Sequence, residues 1–88
     1  MLILSNNKVI NSERALAFTL VKTSEFITAY KETGFQIRAY YSGYTDDNGN
    51  GDYIVIKNYD LNEKRTAETE LEMIVNSIRV GEKVLDLR

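Results

Sequence analysis

The chain contains no cysteine and no histidine. Without cysteine there is no disulfide framework, no thiolate zinc site and no sulfur nucleophile. Without histidine, the usual general base near neutral pH and the commonest transition-metal ligand are both missing, and a serine triad cannot be assembled. Proline is absent as well, and there is no repeat or low-complexity stretch, so no linker or domain boundary is expected. No stretch approaches the ~20 apolar residues of a membrane span. The opening Met1-Leu2-Ile3-Leu4 has no basic region before it, so neither a membrane segment nor a signal peptide is expected, and the reading is a cytoplasmic protein. Catalysis would have to rest on Asp, Glu, Lys, Tyr or Ser. Nothing near the acidic residues looks like a nucleophile or a phosphate loop, so an enzyme is not expected and no cofactor is implied.

What is present suits one small globular domain. Of 88 residues, 43% are hydrophobic and 10% aromatic, which argues against wholesale disorder. A chain of this length buries roughly 60–65% of its unfolded surface, enough for one sheet–helix interface and no deep internal cleft. The net charge of −2 is unevenly spread. Residues 1–45 hold five basic and three acidic side chains, and residues 46–88 hold six basic and ten acidic ones. The second half should repel phosphate, so nucleic acid is not an expected partner.

The chain is organised around Gln36–Asp60, which reads as two strands joined by a polar loop. Phe35, Ile37, Ala39 and Tyr41 alternate with Gln36, Arg38, Tyr40 and Ser42. In the second strand Ile54 and Ile56 oppose Tyr53, Val55, Lys57 and Tyr59, and apolar bulk on both faces suits a central strand. Before this pair, Met1–Ser5 and Lys8–Ile10 form a hairpin through Asn6-Asn7, residues that tolerate positive φ. Ala15–Thr23 alternates as a strand, against the rival of a helix capped at Ser12. Residues 24–33 fit either a short helix with Phe26, Ile27 and Tyr30 facing the core, or a strand turning at Glu32–Gly34; the strand is preferred.

From Asn62, a plausible N-cap, the period becomes helical. Ala67, Leu71, Ile74, Val75 and Ile78 form an apolar stripe, Glu68, Glu70 and Glu72 the outer face, and Gly81 the left-handed terminator. Lys83–Leu87 then alternates as a short terminal strand at a sheet edge. The expected fold is therefore α+β: an antiparallel sheet of four to six strands with one amphipathic helix over about 62–79 on one face.

Three groups of residues could carry function. Asp46, Asn48, Asn50 and Gly51 match the first half of a calcium loop, with Asp52 adjoining, but the twelfth position, where a bidentate Glu should close the shell, is Lys57. A polar hairpin loop needs the same residue types. The tyrosines form the second group. Tyr40 and Tyr59 are expected on outer faces and Tyr44 near the loop, where they could stack a base beside Arg38 and Lys57. Tyrosines are also ordinary strand formers, and no dense basic groove accompanies them. The acidic helix face is the third, a solvated surface or a contact for a basic partner.

Ile3–Asn11 (ILSNNKVIN), Tyr53–Ile78 (YIVIKNYDLNEKRTAETELEMIVNSI) and Gly81–Leu87 (GEKVLDL) together carry a resemblance. The chain resembles small proteins of phages, prophages and mobile elements of low-GC Gram-positive bacteria, which open with a β-hairpin, continue as a meander and close with one helix. The resemblance implies a phage or mobile-element setting, where small proteins often act by binding and blocking host defence systems. It carries no catalytic signature. The expectation is thus a non-enzymatic binding protein with a protein partner, which includes a second copy of itself. A nucleotide- or small-molecule-sequestering protein and a weak calcium-stabilised module are the alternatives.

Overall fold

The computed structural model describes residues 1–41 and 52–88. Ser42, Tyr44, Asp46, Asn48, Asn50 and Gly51 lie outside the described residues. The rest forms an α+β fold with six strands among the described residues: β1 (Leu2–Ser5), β2 (Lys8–Asn11), β3 (Ala17–Phe26), β4 (Tyr30–Tyr40), β5 (Tyr53–Asp60) and β6 (Val84–Asp86). The helix α1 (Lys64–Val80) runs between β5 and β6.

The strands divide into two three-stranded sheets, ordered β2-β1-β6 and β3-β4-β5, where a single sheet was expected. The first opens with the predicted hairpin: Ser5 pairs with Lys8 across Asn6-Asn7. Its other edge is β6, which runs parallel to β1, with Ile3 opposite Leu85. In the second sheet β4, not β5, is the central strand. Two-sided apolar character misplaced β5 because the chain bulges there. Ile37 pairs with Lys57 but Arg38 pairs with Val55, so Ile56 is an extra residue. An extra residue reverses the alternation beyond it. Lys57 and Tyr59 therefore share a face with Ile37 and Phe35, and only Tyr53 and Val55 stay on the outer face where all four were expected.

The two sheets meet where the β1–β2 turn reaches β5. Ser5 Oγ donates to the Ile56 carbonyl and Lys8 Nζ to the Val55 carbonyl, each at 2.6 Å. The core joins both sheets and the helix through Ile3, Ile10, Phe35, Ile37, Ala39, Ile56, Tyr59, Ala67, Ile74 and Leu87. Gly34 belongs to this closeness. A Cβ there would overlap the Tyr59 carbonyl oxygen, so only glycine lets β5 approach.

Residues 24–33 are strand on both sides of a turn, and the turn falls at 27–29 rather than at Glu32–Gly34. Helix entry also differs from expectation. A 3₁₀ turn at Leu61–Glu63 precedes α1, and the Asp60 N–H donates to Glu63 Oε1 at 2.9 Å. The entry is thus fixed two residues before Asn62, which is exposed. The exit is as predicted: Gly81 is left-handed at φ 78°, and the N–H groups of Gly81 and Glu82 donate to Ile78 and Ser77. Of the apolar stripe, Ala67 and Ile74 are buried and Leu71 packs against the core, but Val75 and Ile78 are exposed.

Candidate functional site

The predicted site residues separate into two places. Arg38 and Tyr40 lie on the outer face of β4, and β5 brings Tyr53 beside them. The Arg38 guanidinium sits 4.3 Å from the Tyr53 ring centre, and the Tyr40 and Tyr53 rings are 5.4 Å apart. Gln36 extends the row: its Oε1 accepts from Arg38 Nε at 3.0 Å, and its Nε2 donates to Asn58 Oδ1 at 2.9 Å. Tyr40 holds the expected face but is only 4% exposed, not an open stacking surface.

Lys57 and Tyr59 are on the opposite side, under the helix. Lys57 Nζ contacts both Glu70 oxygens at 2.8 and 3.1 Å and also donates to the Leu87 carbonyl at 2.8 Å. The Tyr59 hydroxyl donates to Glu70 Oε1 at 2.8 Å. Glu70, expected on the acidic outer face, is therefore an inward residue, with its side chain 13% exposed. Its spacing explains this: three residues after Ala67 and four before Ile74, it falls on the buried side of the helix. Burial first, then the hydrogen bond and charge of Glu70 and the charge of Glu63, push the Tyr59 phenol well above its ordinary range. This cluster ties β5, α1 and the segment after β6 together. Its polar atoms are paired with one another across these elements.

Of the calcium-loop residues only Asp52 is described; it is exposed, and the Asp52 carbonyl accepts from the Tyr41 N–H at 2.9 Å. Among the described residues no group of three or more acidic side chains is placed to hold a metal ion. No helix among them is long and apolar enough to cross a membrane.

The surface that the sequence pattern did not single out is the far end of the β3–β4 hairpin. Every residue from 24 to 33 is exposed, so both faces of this two-stranded arm stand clear of the core. Its tip carries Phe26, Ile27 and Tyr30 at 63%, 78% and 81% exposure, with the Phe26 and Tyr30 rings 5.0 Å apart. Below them, Thr23 and Thr33 share a hydrogen bond at 2.8 Å and Lys22 pairs with Glu32 at 3.0 Å. The available signal was local: Phe-Ile-Thr-Ala-Tyr is set between the polar triplets Thr23-Ser24-Glu25 and Lys31-Glu32-Thr33. An apolar island of that kind belongs at a tip as readily as in a core. A second exposed apolar region adjoins the other end of β3. Ala15 and Phe18 face Ile78 across an open cleft of about 710 Å³, which Glu13 and Glu82 border.

No known family model, curated protein or solved structure matches this chain.

Proposed function

We propose that this chain is a small non-enzymatic binding domain that works by gripping protein, with the β3–β4 arm as the gripping element. The observation that supports this is the arm itself. A two-stranded hairpin open on both faces is marginally stable in water and contributes little to the fold. Yet this one ends in three large apolar side chains, each more than 60% exposed. Clustered, rigid aromatic residues on an exposed element are what protein interfaces are built from. In this reading the target is a host component of the kind that phages and mobile elements block, as the resemblance to their small proteins implies.

Among the described residues, no observation favours stacking of a nucleotide. Tyr40 and Tyr59 are buried, and the Tyr53 ring already carries Arg38 over it.

A photoreactive benzophenone side chain placed at Tyr30 tests the reading. Irradiated in producing cells, it is expected to form a discrete protein adduct, while the same group at the exposed helix position Glu72 forms none. Equal labelling at the two positions, or no adduct at Tyr30, would refute it.

A further inference from the structure

The two edges of the β3-β4-β5 sheet are finished differently. On β5, Lys8 and Ser5 occupy the Val55 and Ile56 carbonyls, so the β1–β2 turn covers that edge. At the other edge, β3 pairs with β4 alone among the described residues, leaving the outward backbone row of a ten-residue strand without a neighbouring strand. An edge of that length is a template for another strand. Two features temper this edge, a register shift between Thr23 and Ser24 and the exposed charge of Glu25, both in its second half. β3 has no proline, and the charge of its one lysine, Lys22, is already paired with Glu32.

The exposed apolar residues of β3 lie at its two ends. Leu16, just before the strand, is 66% exposed, and Phe26 closes it at 63%. Phe26 falls on the side of the sheet to which Phe18 and Leu20 point, because the register shift between Thr23 and Ser24 puts its extra residue, Thr33, on β4 and leaves the alternation of β3 intact. The same alternation continued one residue before the strand brings Leu16 to that side. Run antiparallel against its own copy, the strand brings each exposed apolar end against the other. About a two-fold axis normal to the sheet, opposed residues must share a face, so the axis passes through a residue. Two positions use essentially the whole of β3, Val21 and Lys22. An axis at Lys22 sets two ammonium groups directly opposite, which is unfavourable. An axis at Val21 sets valine on valine, Thr19 on Thr23 and Leu16 on Phe26. On that side of the sheet the Leu16 end adjoins the cleft formed by Ala15, Phe18 and Ile78. In this arrangement the exposed Ile78 lies beside the incoming tip.

We infer that the chain forms a two-fold dimer by antiparallel pairing of β3 with β3 of a second copy, centred on Val21, the Phe26–Tyr30 tip of each copy closing over Leu16 and the adjoining cleft of the other. The interface is isologous: each copy supplies one tip and one receptacle. It joins the two sheets into a continuous six-stranded one, with the Arg38–Tyr53 faces on a common side. The inference rests on the arm as a binding element and names its occupant.

The absence of cysteine makes the test direct. In this register a cysteine at Val21 faces its own image with Cα atoms about 4.5–5.5 Å apart, within the range a disulfide spans. The parent chain is expected to scatter light as twice 10.1 kDa, and Phe26→Asp to shift it towards the monomer mass. Under mild oxidation Val21→Cys should convert to covalent dimer while Thr23→Cys stays single. A parent that is monomeric at every concentration would overturn the inference. So would a dimer in which Thr23→Cys cross-links as fast as Val21→Cys, because the contact then lies elsewhere. A monomeric parent with a foreign protein trapped at Tyr30 keeps the arm as the binding element and removes the second copy; no adduct at all removes both.

Discussion

Tyr59 shows how much one side chain can combine. It pairs with Phe35 across the sheet, is 5% exposed, and donates to a carboxylate that is also held by Lys57. A phenol so placed keeps its proton where the unfolded chain releases it, near the ordinary value of 10.0. Stability from this group is therefore complete below about pH 10 and declines as the pH rises further. Thermal melts between about pH 9 and about pH 11 should show the parent losing melting temperature and Tyr59→Phe losing less of it. Tyr41 is raised by burial too and leaves a residual slope in both proteins. An equally steep decline in Tyr59→Phe would show that the phenol does not titrate as the geometry requires. None of this could be read from a sequence pattern, because Tyr59 was assigned to the wrong side of β5.

The reason for that misassignment belongs to the elements. Alternation in Phe35–Ala39 was legible because β4 keeps period two there and Phe35, Ile37 and Ala39 are buried, but Tyr40, expected on the outer face, is buried as well. In β5 one extra residue at Ile56 reverses the period. A buried isoleucine in a bulge has the same sequence signature as one in a regular strand, so nothing in YIVIKNY marks the reversal. The helix was legible in position and termination, since its stripe and Gly81 are local signals. Its burial was less so, because the sheet reaches Ala67, Leu71 and Ile74 but leaves Val75 and Ile78 uncovered. Substitutions should separate these positions. Ile74→Ala is expected to cost about 2–5 kcal/mol in chemical denaturation, as an inward aliphatic deletion does. Val75→Ala, more than half exposed, should change stability by no more than about 0.5 kcal/mol. The arm was legible as strand but not as a projection, for its apolar residues fit a core as well as a tip.

At the scale of the molecule, the fold is two thin sheets that neither bury a core alone nor share a strand. What unites them is α1, the Ser5 and Lys8 bonds to β5, and the segment around β6, whose Leu87 is 3% exposed and whose carbonyl holds Lys57. Removing the residues after Lys83 should therefore act on both sheets. The loss of Leu87 burial alone is worth about 1.5–3 kcal/mol, and β1 loses a neighbour at the same time. Circular dichroism of the shortened chain should show one cooperative transition at lower temperature. A melt that leaves the β3-β4-β5 signal unchanged would mean the sheets are independent.

The parallel pairing of β1 with β6 has a consequence for synthesis. β1 finds its second neighbour only after β2 through α1 have been made. Until then β1 and β2 are a bare hairpin, with Ile3 and Ile10 open to whatever binds emerging apolar segments. In order of synthesis the β2-β1-β6 sheet is thus begun first and completed last of the two.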